Sequence, residues 1–321
     1  MNSSTQSTSQ TKEVVRLTPI PKITPDMIIG YTYGMRPFRK GGFRLEREDI
    51  QGKAIFHNYG HGGAGVSLAP GCAKRIVDKF LMEIGPKVKK VAIIGSGYMG
   101  LFQSIMLREL GYEVNVYAEL FPQKVGMYNG KPIVTSQVAG GLWMPFGYEV
   151  GNRPLHNAIT KESFLFYKDC IEKNKYKGVS YKDDVMINYE NPVPLYLPEG
   201  LIKERYVKVD FGNGVHHDAI IIKSMLIDGD VLLNELLEEA KAKGVKFHNK
   251  RFNDLKDVLA LEEEVIFNCS GHGSYKLFGD KDIIPIAGHL IYINKVPGID
   301  YFLCSTNEAG DIVSCYPHGN K

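Results

Sequence analysis

Residues Lys90 to Glu119, KVAIIGSGYMGLFQSIMLRELGYEVNVYAE, leave this chain few folds to choose from. Val91-Ala92-Ile93-Ile94 is an apolar run of strand length, and Gly95-Ser96-Gly97-Tyr98-Met99-Gly100 follows at once. Tyr98 to Leu110 is rich in Leu and Met and free of proline, which predicts a helix; Gly111 ends it, and Val114 to Tyr117 predicts a second strand. This is the strand, turn, helix and strand of a dinucleotide-binding unit, with G-x-G-x-x-G in the context it requires. Gly95 permits the tight turn, Gly97 lets backbone approach a pyrophosphate, and Gly100 lets helix and sheet pack closely. The helix N-terminus offers unpaired N–H groups to phosphate. Glu119 closes the second strand, about 20 residues on, where an acid accepts from ribose hydroxyls. A carboxylate there argues against a 2′-phosphate.

The 321 residues allow two domains or one large one. A net charge of +3, evenly spread, argues against nucleic acid or an anionic membrane as partner. Cys72, Cys170, Cys269, Cys304 and Cys315 contain no C-x-x-C pair, which favours a reduced compartment over a zinc site. The polar start, MNSSTQSTSQTK, lacks the apolar segment of a secretory signal and is expected to be a disordered tail. No apolar run reaches the roughly 20 residues that span a bilayer. The expectation is a cytoplasmic protein.

Along the chain, Glu13 to Lys22 is a proline-broken connection, and Thr24 to Met27 a turn or brief helix. Ile28 to Glu48, with Arg36-Pro37 and four further basic residues, is either a solvated basic loop leading to an edge strand or a segment that turns one arginine inward onto an anion. Gly60, Gly62, Gly63 and Gly65 lie among His57 and His61 and feed a helix over Ser67 to Phe80, a second anion or cofactor contact. The two histidines lack a carboxylate to complete a metal set. Gly85 to Lys90 is a linker. Thr135 to Pro145 combines hydroxyls and paired glycines, suited to close backbone approach. Lys161 to Lys173 and Gly229 to Lys243 predict amphipathic helices. Val185 to Asp218 predicts several antiparallel strands, and Val245–Phe247, Val265–Gly271, Ile283–Lys295 and Tyr301–Tyr316 further strands.

With these residues in view the chain resembles the D-amino-acid oxidase family of flavoproteins. The resemblance covers most of the chain after the tail. It rests on Val116–Glu119, on Thr135–Trp143, on Ser224-Met225-Leu226-Ile227-Asp228-Gly229 and on Asn268-Cys269-Ser270-Gly271. Its most specific parts are His57-Asn58-Tyr59-Gly60-His61-Gly62-Gly63-Ala64-Gly65 and Arg36-Pro37 with Arg44-Leu45-Glu46-Arg47-Glu48. Pro285-Ile286-Ala287-Gly288-His289 departs from the family's Pro-x-Arg-Gly-Gln at two positions. The order differs as well: the family places the Arg-Pro and His-Asn-Tyr segments after the substrate domain, whereas here they precede the dinucleotide unit. The pattern is that of a circular permutation. A strand with a Leu-Gly-Gly signature, about two dozen residues of the family pattern, finds no match at either end. The N-terminal tail is expected to replace it in the substrate sheet, or a partner to cover the bare edge.

The resemblance implies an α/β fold: a Rossmann-like FAD-binding domain and a second, mostly antiparallel-sheet substrate domain. The expected division is a tail over 1–12, a cofactor domain over 51–150 and 219–280, and a substrate domain over 13–50, 151–218 and 281–321. It implies FAD held by Gly95, Gly97, Tyr98, Met99 and Gly100, with Glu119 at the ribose. Thr135, Ser136, Gly141, Leu142, Phe252, Ser270, Gly62, Gly65, Val66 and Ser67 complete the cofactor set. Arg36 and Tyr316 would hold a substrate carboxylate, with backbone near Gly63 facing the amine. The family's second pocket tyrosine has no match, Ile312 and Val313 standing about there, which points to an apolar wall or an unusual amine. The implied activity is hydride transfer from a D-amino acid, or a related amine-bearing carboxylate, to flavin. The products are an imino acid, then a keto acid, and hydrogen peroxide from dioxygen as electron acceptor. The alternatives are a flavin-binding protein or subunit without such turnover, and a nicotinamide dehydrogenase. A homo-oligomer is compatible with the sequence.

Overall fold

The computed structural model describes residues 12–84, 87–123, 133–187, 197–306 and 312–318. The expected tail, apart from Lys12, lies outside them, as do Gly85 and Pro86 of the linker and the side chains of Ile312 and Val313. The strands are β1 (Val14–Arg16), β2 (Ile28–Arg39), β3 (Arg44–Ile50), β4 (Lys53–Tyr59), β5 (Lys90–Ile94), β6 (Glu113–Ala118), β7 (Val179–Ile187), β8 (Glu204–Asp210), β9 (His216–Ile227), β10 (Lys246–Asn249), β11 (Val265–Asn268), β12 (Ile283–Ile293), β13 (Tyr301–Thr306) and β14 (Ile312–Cys315). The helices are α1 (Gly65–Glu83), α2 (Tyr98–Glu109), α3 (Arg153–Glu172), α4 (Gly229–Ala242), α5 (Leu255–Leu259) and α6 (Gly273–Leu277). None of the described helices is long and apolar enough to cross a membrane.

One six-stranded sheet runs β10-β6-β5-β11-β4-β3, parallel except where β3 meets β4. From β5 the chain crosses by α2 to β6 on one side, while β11 returns on the other. The strand order therefore reverses between β5 and β11, and a crevice opens there at the carboxyl ends of the strands. The second six-stranded sheet, β1-β8-β9-β7-β13-β14, is mixed. β2 and β12 form a separate antiparallel ribbon from Arg39/Ile283 to Ile28/Ile293. This α/β architecture with a second sheet is the expected fold class.

Several segments differ from expectation. The basic stretch 28–48 is not a loop: it supplies β2 and β3. Residues 44–50, grouped above with the substrate domain, form the edge of the parallel sheet, and residues 219–227, grouped with the cofactor domain, lie in the second sheet between β8 and β7. The proline-broken start contributes β1, which pairs with β8 at one edge of the second sheet. α3 begins eight residues earlier than Lys161 because Asn152 caps it, accepting from Leu155 N at 3.0 Å, with Pro154 in the first turn.

α1 contains Pro70, which removes the N–H that would bond Val66 O. Tyr167 of α3 supplies the donor instead, its hydroxyl 2.8 Å from Val66 O. Ser163 and Trp143 likewise serve the carbonyls of Leu68 and Ser67. A Cβ on Gly71 would lie 2.6 Å from Ile159 O, so the glycine sets how closely α1 and α3 approach. α1, α2, α4 and the face of the parallel sheet beneath them share one apolar core, in which Phe56, Phe80 and Phe267 pack at centroid distances of 5.3 to 5.6 Å.

Candidate functional site

At the switch point, Gly95 leaves β5 at φ 109°. A Cβ there would meet Cys269 O at 2.4 Å, and one on Gly100 would meet Gly95 O at 2.0 Å. Both glycines are therefore demanded by the close packing of β5, α2 and the end of β11. Gly97 differs: a Cβ there meets only Ser136 Oγ, at 3.4 Å, and Val134 Cγ1, at 3.9 Å. It borders open space. Gly97 is the N-cap of α2 and no side chain caps its first N–H groups, nor does the first turn carry an acid. These are the features of a helix N-terminus open to phosphate.

That space belongs to a cavity of about 510 Å³ whose wall brings distant segments together. Gly95, Gly97, Tyr98, Met99, Glu119, Thr135, Ser136, Gly141, Leu142, Phe252, Ser270, Gly62, Gly65 and Val66 line it, as do Arg36, Tyr316 and Gly63. Gly100 and Ser67 do not. Gly100 acts one layer behind, through packing. Ser67 is buried in α1, its hydroxyl accepting from Met144 N at 3.0 Å, so it braces the segment after Trp143 rather than facing the cavity.

Each lining segment is held by its neighbours. Gly141 sits at φ 77° against Ile227 O, and Ile227 N donates to Gly141 O at 2.7 Å, which seats the Thr135–Val138 turn and the glycines after it on the β9–α4 junction. Gly63 N donates to Gly147 O at 3.0 Å. Ser270 Oγ donates to Asn268 Oδ1 at 2.7 Å. Glu119, at the end of β6, is 3.4 Å from Arg251 Nη1, and both are largely exposed. His57 accepts from Asn268 Nδ2 through Nδ1, so its Nε2–H donates to Glu48, and burial beside Arg44 lowers its pKa to about 4. His61 stacks on Phe43 and lies 3.3 Å from Cys72 Sγ; burial lowers its pKa to about 3. Both rings are committed to protein partners.

Arg36 stands on β2 with its guanidinium over Gly288 of β12: a Cβ on Gly288 would lie 2.7 Å from Arg36 Cζ. Gly288, like Pro285, matches the Pro-x-Arg-Gly-Gln pattern, from which Ala287 and His289 depart. Arg36 is exposed to the cavity and forms no hydrogen bond or ion pair with any described residue. Tyr316 follows β14, its ring edge-on to Phe302 at 5.6 Å and beneath Gly140. Burial raises its pKa, which keeps the hydroxyl a donor. His318 donates to Gly140 O at 2.8 Å and so ties the segment of Tyr316 to the loop of Gly141.

One residue escaped the sequence reading. Asn58 is fully buried, lines the cavity, and neither Nδ2 nor Oδ1 has a partner among the described residues. A buried amide with both ends idle at a cavity wall is suited to a ligand that both donates and accepts. Its place inside His57–Gly65 was the available signal. An elongated dinucleotide fits this set: uncapped helix N–H groups and Gly97 for phosphate, Glu119 for a hydroxyl, and the idle Asn58 amide for a group that both donates and accepts.

No family model matches the chain. Over 222 residues it is 26% identical to a D-amino-acid oxidase of Dictyostelium discoideum, covering 68% of this chain and 60% of that one. Over 235 residues it is 24% identical to a D-amino-acid oxidase of Streptomyces coelicolor, covering 72% and 68%. A shorter match, 51% identical over 49 residues, joins 15% of this chain to 13% of a D-aspartate oxidase of Talaromyces thermophilus. Glycine oxidase from Geobacillus kaustophilus superposes with a TM-score of 0.41 at 11% identity, over 71% of this chain and 70% of that one.

Proposed function

We propose, for a chain that is D-amino-acid-oxidase-like in sequence, an FAD-dependent oxidation of the C–N bond of a D-amino acid or related amine-bearing carboxylate. The observation that carries this reading is one cavity with two unlike ends. One is a backbone cradle for phosphates around Gly97; the other presents Arg36, a cation without a partner among the described residues, beside the Tyr316 hydroxyl.

A bound flavin supplies the two-electron acceptor that takes hydride from the substrate Cα. The chain's own residues do the rest. Arg36 fixes the carboxylate through its planar fork, and Tyr316 donates a second hydrogen bond to it. Together they fix the Cα orientation, which is where most of the rate gain of such a site lies. Leu142, Leu290 and Val138 on the cavity wall limit water at the reacting carbon. The imine then hydrolyses to keto acid and ammonia, and dioxygen, as terminal acceptor, leaves as hydrogen peroxide.

The purified protein should be yellow and release peroxide with at least one member of a panel of D-amino acids, glycine and N-methyl amino acids. A colourless protein that takes up no added FAD would end the cofactor assignment. A yellow protein inert across the panel would favour a flavin-binding role without this turnover.

A further inference from the structure

We propose that Asp184, a buried carboxyl in the second sheet, sets the charge of the substrate-side wall: neutral when a carboxylate binds at Arg36, and opposed to that binding once ionised. The inference rests on reading the cavity as a carboxylate site. Asp184 lies on β7, paired with Ile222 of β9 on one side and Phe302 of β13 on the other. Phe302 carries the same row to Tyr316, which lines the cavity. The row across the sheet is thus Ile222, Asp184, Phe302, Tyr316. Three of its members suit an apolar wall, and the fourth is an acid only 2% exposed.

A buried acid kept for structure normally holds hydrogen bonds. Asp184 Oδ1 has none. The groups that face it are few. β9 meets it with Ile222. β13 meets it with Phe302 and, two residues on, the thiol of Cys304. The segment after β14 brings Tyr316, and beyond Tyr316 lies Arg36 of β2. Lys182, two residues back on β7, is committed to Asp300. With Oδ1 unbonded among the described residues, burial lifts its pKa from 3.8 to about 7.

The proton therefore leaves near neutrality. Below that point Arg36 is the charge that a carboxylate meets on this side. Above it a negative charge stands behind Tyr316, repels the carboxylate, and favours the ammonium form of the substrate, which must lose its proton before the C–N bond is oxidised. Rising pH ordinarily helps amine oxidation by freeing the amine, and Asp184 places a ceiling on that gain. It acts through Tyr316 and the field, and is a positioning residue.

The test is propionate binding to the holoenzyme by calorimetry, from about pH 5 to 9, in wild type, Asp184→Asn and Arg36→Ala. Wild-type affinity should fall about five- to tenfold through neutrality, the size of effect that one added charge exerts across a partly buried site. Asp184→Asn should hold the acid-side affinity throughout, and Arg36→Ala should lose binding at every pH. A wild-type slope that persists in Asp184→Asn overturns the proposal. Normal binding in Arg36→Ala overturns the carboxylate reading instead. Infrared titration of the wild type guards against a variant that does not fold: a buried carboxylic-acid band should vanish near neutrality, and its absence at low pH also sinks the idea.

Discussion

The two ends of the cavity are built on different terms. Around Gly95 and Gly100 the contacts come from backbone, and the space is fixed by what would clash: Gly95 O lies 2.0 Å from a Cβ on Gly100. Around Arg36 and Tyr316 the contacts come from side chains on a ribbon and on the second sheet, and there is room for change. The first end is sterically strict and chemically general, since any phosphate satisfies free N–H groups. The second is sterically tolerant and, on the proposed reading, chemically particular, since one guanidinium over Gly288 would choose the ligand. Substitutions at the first end should act through folding and cofactor retention, and those at the second through the ligand with the fold intact.

The largest expected effect tests the strict end. Gly100→Val should destabilise by about 4 kcal/mol or more, because both backbone and α2 must shift. Melting temperature and flavin content should fall together. A stable, yellow Gly100→Val would break the contrast outright.

The next divides the molecule by pH. His61, near the glycine turns, has its pKa depressed to about 3 by burial, so the unfolded chain binds more protons and stability is lost as pH falls from 6.5 toward 3. Asp184 is opposite in sign. Its pKa is raised, the folded state holds the proton longer, and stability is lost as pH rises from 3.8 toward 7, on the order of 4 kcal/mol in all. Melting curves should show Asp184→Asn flattening the slope on the neutral side and His61→Gln flattening the acid side. Interchanged effects would refute the assignment of the two groups.

Arg36→Ala should follow at about 3 kcal/mol, roughly a hundredfold rise in KM, with melting temperature and flavin content unchanged. Arg36→Lys should recover part of it, because an ammonium keeps the charge but loses the fork. Loss of flavin in Arg36→Ala would show that the two ends are coupled.

The same contrast explains what the sequence could say. Gly95, Gly97, Glu119, Gly60, Gly62, Gly63 and Gly65 were legible because glycine turns and their spacing are local, and the structure places them around one cavity, with Gly100 one layer behind. Of the ribbon only one strand was legible, the one within 283–295. Residues 28–39 carry strand formers such as Ile28, Ile29, Tyr31 and Tyr33, but Gly30, Gly34 and Pro37 interrupt them and the partner lies across most of the chain, so nothing nearby announces the pairing. Ser67 was misplaced because it falls inside the first turn of α1, which rotates it to Met144. Asp184 was passed over because the strands expected there begin only at Val185, and only the registers with Ile222 and Phe302 show that this acid lies inside the second sheet.

The smallest effect is the most discriminating, because it should carry two signs. Asn58 lines the same cavity, its amide buried and unpaired among the described residues. If it serves a ligand, the free protein bears the cost of desolvating it and only the bound protein recovers that cost. Asn58→Leu, of similar size, removes the unpaired atoms. The apoprotein should then melt higher, by about 1 kcal/mol of stability, while FAD affinity, read from flavin fluorescence quenching, falls about tenfold. A residue that merely packs cannot give that pair of results. If stability and affinity fall together, Asn58 supports the wall and does not contact the ligand, and the side-chain-built end of the cavity begins only at Arg36.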